Sequence, residues 1–260
     1  MDRQKLFLFD FDGVIVDGMN EYWHSSLLAC EKYLNSPDIQ IKQDLYKKVS
    51  NTFKEIRPFV KYGWEMIIIV HEIIKIENPL DKNNKKNFIN KYHLNCQKIL
   101  DDNSWLAKDL QKFLDESRKY QIDKDFEMWV NLHKPFHEVI AFMEKLKQQK
   151  IKTGIITTKG KIFATKILDK LNIFPEFIFG YESGTKTEIT IELDKKYEIL
   201  GFIEDRLKTL IDIKQNPETK SIPCLLADWG YLKESDRSSL IKDIRLLKLK
   251  NLEDLLAISK

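Results

Sequence analysis

The stretch "FLFDFDGVIVD", Phe7 to Asp17, sets three carboxylates into a run that otherwise has the makeup of a buried strand. From Lys5 to Asp10 the chain is continuously apolar and then ends in acid, as expected of a central parallel strand covered on both faces. Residues two apart in an extended chain point the same way, so Asp10 and Asp12 present their carboxylates on one side while Phe11 points away. Open parallel sheets take ligands beyond the carboxyl ends of their strands, so the acid pair marks the place of a catalytic or metal-binding centre. An EF-hand loop needs its glycine two positions later and polar neighbours, and Val14, Ile15 and Val16 do not fit it.

Changes of hydrophobic period divide the rest of the 260 residues, a length that holds one sizeable core or a core with a smaller second domain. From about Asn20 to Lys134 the pattern is helical. Its apolar positions are Tyr22, Trp23, Leu27, Leu28 and Leu34; Leu45, Val49, Phe53 and Ile56; Phe88, Tyr92 and Ile99; and Trp105, Leu106, Leu110, Phe113 and Leu114. "SPD", "NPLDKNN" and "LDDNS" punctuate this block as turns, and "WEMIIIVHEIIKI", apolar nearly all round, reads as its central helix. After "HKPFHE" strands alternate with helices: "KTGIIT", "EFIFG", "LGFIE" and "IPCLLAD" are the expected strands, and "NLEDLLAIS" a closing helix. "TEITIEL" alternates like a strand, yet its place between two strands calls for a crossover helix, and a helix is expected there. The fold class is therefore α/β: a parallel-sheet core of residues 1–18 and 135–260, with an all-helical domain of residues 19–134 inserted after the first strand. Hinges are expected near Gly18 to Asn20 and near His133 to Pro135.

Composition excludes several classes. Forty-three basic and 40 acidic residues, well mixed, leave a net charge of +3 and no footprint for nucleic acid or an anionic membrane. Cys30, Cys96 and Cys224 are too scattered for a zinc site or disulfide framework and are expected as buried thiols. The five histidines have no metal-like spacing. The N-terminus is charged at once and its apolar run is cut by Asp10, unlike a signal peptide, and "WEMIIIVHEII" is too short to span a bilayer. A cytoplasmic location is the expectation.

The acid pair and three later motifs together resemble the haloacid dehalogenase (HAD) superfamily, whose first motif is an apolar strand followed by Asp-x-Asp-Gly. Its second, a strand closing in Thr or Ser, is supplied by "GIITTK" with Thr157; its third, a lysine at a helix start, by "GYESGTKTE" with Lys186; its fourth, an acidic pair after a strand, by "GFIEDR" with Glu204 and Asp205. All four occur in order, each after an expected strand. "RPFVKYGWE", "IEDRLKTL" and "ADWGY" are similar to HAD-like proteins of cyanobacteria and plastids.

The resemblance implies a Rossmann-like HAD core with a helical cap, here longer than the ordinary one, and a magnesium-dependent phosphatase of small phosphorylated metabolites. Asp10 would attack phosphorus and Asp12 would serve as acid and then base. The Asp10 carboxylate, the Asp12 backbone carbonyl and Asp205 would hold Mg2+, with Glu204 ligating directly or from just behind. Thr157, with Thr158 and Gly13 nearby, would bind the phosphoryl oxygens, and Lys186 would pair with them and with Asp10. On their own, Thr157 reads as a β-branched strand residue, Lys186 as one of many surface lysines, and Glu204 and Asp205 as caps for a helix starting near Arg206; membership in the set singles them out. Asp17 reads as a helper at the hinge or a turn former. Thr158, Lys159 and the "DWGY" loop lie where the family lines its site. Arg57, before Pro58 at a helix end, is the candidate for an anionic group of the substrate, against the plainer reading of a solvated arginine. A phosphomutase shares every motif, and a non-catalytic binding member is the remaining alternative. A dehalogenase is disfavoured because those relatives lack the second aspartate.

Overall fold

In the computed structural model, which describes residues 3–34 and 36–258, the chain divides into two units. One joins the segment ending at Asp17 to the segment beginning at Lys134; the other is Gly18–His133. Each boundary falls one residue before the one expected from the change of hydrophobic period.

In the first unit, β1 (Gln4–Phe9) is followed by two short strands, β2 (Val16–Asp17) and β3 (Lys134–Pro135), which pair antiparallel with Val16 opposite Pro135 and Asp17 opposite Lys134. The strands β4 (Lys152–Ile156), β5 (Phe177–Phe179), β6 (Tyr197–Glu204), β7 (Cys224–Ala227) and β8 (Ile244–Leu247) join β1 in a parallel sheet of order β5-β4-β1-β6-β7-β8. From β1 the chain builds outward through β4 and β5 on one side, then crosses to β6 and builds outward through β7 and β8 on the other. The order reverses beside β1, and the crevice at the carboxyl ends there is where such sheets take ligands. β1 is covered on both faces: Leu6 and Leu8 share a cluster with Ile189, Leu193, Leu207 and Leu210, while Phe7 and Phe9 meet the Phe142 ring. Leu6, Leu8 and Phe9 are wholly buried, each contributing about 1.5–3 kcal/mol.

The helical unit contains α1 (Met19–Ala29), α2 (Asn51–Ile56), α3 (Glu65–Ile74), α4 (Lys85–Asn90), α5 (Tyr92–Asp102), α6 (Ala107–Lys124) and α7 (Phe126–Asn131). As expected from "WEMIIIVHEIIKI", α3 is buried along Met66–Val70 and again at Ile74. The group Leu45, Val49, Phe53 and Ile56 is not one helix: a 3-10 turn over Gln43–Lys47 is separated from α2 by extended backbone at Lys48, so Leu45 and Phe53 do not share a helical face. The turn at Ser36 to Asp38 is pinned to α3 by Ser36 Oγ and His71 Nε2 at 3.1 Å and by the Ile39–Lys75 bridge.

The sheet unit adds α8 (His137–Gln148), α9 (Lys161–Lys170), α10 (Lys186–Asp194), α11 (Leu207–Gln215), α12 (Glu234–Ser238) and α13 (Asp254–Ile258). "TEITIEL" is helical within α10 because Thr185 and Glu188 form a reciprocal cap and Ile189, Thr190 and Leu193 turn to the core at helical spacing. β8, absent from the sequence expectations, is an edge strand whose alternation is masked by Arg245. No helix of the described residues is long and apolar enough to cross a membrane, and all three cysteines are free and buried.

Candidate active site

β1 hands the chain to a tight turn that keeps its acids at the sheet end. The Asp10 N–H continues the ladder to the Ile203 carbonyl at 2.8 Å, and the Ile15 N–H closes onto Phe11 O at 2.8 Å. Gly13 has φ +87°, and a Cβ there would lie 2.0 Å from Asp205 Oδ2; a Cβ on Gly230 would lie 2.3 Å from Asp205 Cβ. Two backbones therefore approach Asp205 as closely as only glycine permits.

The residues of the four motifs meet here. Lys186 opens α10, whose capped start aims its ammonium back over the sheet, 2.7 Å from Asp10 Oδ1 and 2.6 Å from Glu204 Oε2. Oxygens of Asp10, Glu204 and Asp205 lie within 4.8 Å of one another, all buried. Asp205 Oδ2 accepts the Tyr231 N–H at 2.8 Å. Thr157 follows β4, its N–H donating to Phe179 O at 2.9 Å and its Oγ1 accepting the Lys159 N–H at 3.0 Å. Thr158 is half-buried in the same turn. Asp17 Oδ1 accepts the Tyr231 hydroxyl at 2.6 Å.

One expectation changes. Neither Glu204 nor Asp205 caps α11, whose N-cap is Arg206; Glu204 Oε1 instead accepts the Arg206 N–H at 3.1 Å while its other oxygen serves Lys186. Arg57 belongs to the helical unit, in a 3-10 turn directly after α2, with its guanidinium 5.4 Å from the Tyr22 ring centroid.

Sequence reasoning gave Lys159 and the "DWGY" loop no defined role. Lys159 Nζ lies 3.3 Å from each oxygen of Asp12, and its side chain is fully buried. The Trp229 indole N–H donates to Val14 O at 3.1 Å, so the loop clamps both the Asp12–Asp17 turn and Asp205. The only sequence signal was position: both segments follow a sheet strand.

Four buried carboxylates, Asp10, Asp12, Glu204 and Asp205, face two lysines, Lys159 and Lys186. Burial, reinforced by repulsion from Glu204 and only partly offset by Lys186, pushes Asp10 up to about 7. Burial likewise raises Glu204 despite Lys186. For Lys186 burial opposes the charge, but Asp10 and Glu204 outweigh it and hold the ammonium above the usual lysine range. An excess of two negative charges on hard oxygen donors fits one divalent cation of the magnesium kind, and the glycine-lined approach to Asp205 leaves its carboxylate in that cluster.

The sequence matches the haloacid dehalogenase-like hydrolases over residues 4–205. The chain belongs to the haloacid dehalogenase-like hydrolase family. No curated protein matches it in sequence. Among solved structures, a predicted phosphatase from Clostridium acetobutylicum superimposes with a TM-score of 0.60 at 16% identity, covering 99% of this chain and 100% of its own. A putative phosphatase from Clostridium difficile gives 0.59 at 18% identity, covering 98% and 100%. A predicted phosphoglycolate phosphatase from Haemophilus somnus gives 0.59 at 15% identity, covering 100% of both chains. At these identities the likeness is one of fold. The Rossmann-like HAD core expected from the motifs is the parallel sheet described above.

Proposed function

We propose that this chain is a phosphatase that hydrolyses small phosphorylated metabolites with a magnesium-like cation and an aspartyl-phosphate intermediate on Asp10. The observation that carries the reading is the Lys186 ammonium between Asp10 and Glu204, at 2.7 and 2.6 Å, at the same strand ends that hold Asp12, Asp205 and Thr157. A phosphate monoester is a dianion, and a carboxylate approaches it only where cations offset both charges. Asp10 and Asp205, with Glu204 beside them and the Asp12 carbonyl, would hold the cation, which when bound supplies charge neutralisation and a fixed phosphoryl orientation.

Asp10 forms the new bond to phosphorus as the ester P–O bond breaks, and Asp12 gives its proton to the leaving oxygen. Asp12, now a carboxylate, takes a proton from the water that attacks the phosphoryl group. The Asp10–phosphorus bond breaks and inorganic phosphate leaves. Thr157 and Lys186 hold the phosphoryl oxygens throughout. Structures of the same fold from two Clostridium species and Haemophilus somnus are described as predicted or putative phosphatases, which agrees with the assignment. We assign substrate selection to the helical unit, because its chain is inserted between β2 and β3, directly after the Asp12–Asp17 turn.

The test is a screen of the purified protein against p-nitrophenyl phosphate and a panel of phosphate monoesters, with Mg2+ and with excess EDTA. Release of phosphate that depends on Mg2+ is expected. No turnover of any ester, or full turnover in EDTA, overturns the reading or its metal.

A further inference from the structure

We propose that Lys159 is a positioning residue for Asp12, orienting that carboxylate for proton transfer without itself touching the substrate; the proposal rests on the phosphatase reading above. A lysine ammonium is among the groups least often buried, and taking it out of water is costly unless it is paired. Here the side chain is fully buried and its Nζ stands 3.3 Å from both Asp12 Oδ1 and Oδ2. An ammonium equidistant from the two oxygens resists rotation of the carboxylate about its Cβ–Cγ bond, since any turn lengthens one contact.

Lys159 is itself fixed. Its N–H donates to Thr157 Oγ1 at 3.0 Å, and Gly160 after it is the N-cap of α9. One residue thus links the ends of β1 and β4, setting Asp12 with its side chain and Thr157 with its backbone. Lys186 has a different place: it pairs with Asp10 and Glu204 and keeps 12% of its side chain exposed. The two lysines therefore divide the two aspartates between them, Lys186 beside the one that takes the phosphoryl group and Lys159 beside the one that handles protons. A misplacement of about 1 Å can cost on the order of a hundredfold in rate, so holding Asp12 is a sufficient use for a buried lysine.

The experiment compares Lys159→Met, Asp12→Asn and the double variant in kcat/KM for two esters, p-nitrophenyl phosphate and an alkyl phosphate that the wild type turns over. An alkoxide needs a proton to leave and p-nitrophenolate does not. Lys159→Met is expected to lose about tenfold or more on the alkyl ester and less than about threefold on the aryl one. Inhibition by inorganic phosphate should stay within about twofold, and the double variant should be no slower than Asp12→Asn alone. Lys159→Arg, which keeps the charge, should recover part of the loss. Equal losses on both esters, a weakened phosphate inhibition, or losses that multiply in the double variant would show a lysine that meets substrate and would overturn the proposal. A wild type inactive on every ester condemns the phosphatase reading instead. The lysine is then judged from crystal structures of Lys159→Met and Lys159→Arg: an Asp12 side chain displaced in the first and retained in the second supports it, and one unmoved in both refutes it.

Discussion

Two regions of the described chain set buried acids against buried cations, and they treat them in different ways. In the helical unit, Glu21 on α1 accepts Arg118 Nε at 2.8 Å and Nη2 at 3.2 Å, with the Ser25 hydroxyl at 2.6 Å. Gln121 donates to Ser25 at 2.8 Å, and Asp115 takes Arg118 Nη1 at 3.2 Å. Both acids accept from one guanidinium, Ser25 adds a hydroxyl donor to Glu21, and Gln121 in turn donates to that hydroxyl. At the strand ends of the sheet unit, by contrast, four carboxylates meet two lysines, and Asp10 stays protonated up to about 7 because neither burial nor Glu204 is fully offset. Acids that accept from a guanidinium and a hydroxyl tie α1 to α6, whereas a cluster in which Asp10 is held protonated up to about 7 is poised for a cation.

The sharpest way to break the contrast is to neutralise one acid in each region. Asp10→Asn should remove turnover by about 10⁴-fold or more, since no other group there replaces the nucleophile. The metal-free fold should be no less stable, because a repelled carboxylate has been removed. A variant that keeps wild-type turnover would return Asp10 to a structural role. Arg118→Met should do the reverse. It leaves Glu21 buried without its main partner and should cost about 3–5 kcal/mol in chemical denaturation, while folded protein still turns over p-nitrophenyl phosphate. If Arg118→Met costs nothing in stability, the Glu21–Arg118 pair is not what holds α1 to α6.

The same contrast explains what could be read from the residues alone. The strand-end site is legible because polar side chains close apolar strands at fixed places: Asp10 and Asp12 after β1, Thr157 after β4, Glu204 and Asp205 at and after β6. Lys186 was legible only through its motif, as one lysine among many. Lys159 was hidden for the same reason and more deeply, since nothing in "TTK" says that one lysine is buried against Asp12. The Glu21–Arg118 pair joins residues 97 apart, which no local pattern reports. β2 and β3, two residues each, are too short to carry a period, and β8 hides its two buried residues, Ile244 and Leu247, behind Arg245. The break at Lys48 was missed because apolar spacing cannot show an extended residue between two short helical turns.

A smaller effect sharpens the electrostatic half of the comparison. Asp10 ordinarily titrates near 3.8 and in the metal-free fold near 7, so between those values the folded chain keeps a proton that the unfolded chain releases. Its contribution to stability is therefore full at low pH and falls as pH rises through about 7. A cation at the cluster must displace that proton, so apparent Mg2+ affinity, followed by titration calorimetry or thermal shift, should weaken up to about tenfold per pH unit below about 7 and level off above it. Asp10→Asn should reduce this pH dependence, leaving the share carried by the raised Glu204. An affinity flat from pH 5 to 8 would mean that Asp10 and the cation do not share a site.

The smallest expected effect lies in the helical unit and tests whether any of its charge is chemical after all. Arg57 stands in a 3-10 turn with its guanidinium 5.4 Å from the Tyr22 ring centroid, and Arg118 lies 5.0 Å from the same ring. A planar guanidinium binds a carboxylate or phosphate through two parallel N–H donors, which an ammonium cannot imitate. If Arg57 recognises a second anionic group on the substrate, Arg57→Ala should raise KM several-fold for an ester carrying a carboxylate and leave KM for p-nitrophenyl phosphate unchanged, with kcat alike for both. Arg57→Lys should behave as the alanine variant does, because the fork and not the charge is what such recognition uses. A KM that rises equally for both esters, or for neither, would place Arg57 with Glu21 and Arg118 in the architecture, and the comparison would then hold without exception: chemistry at the strand ends, structure in the helices.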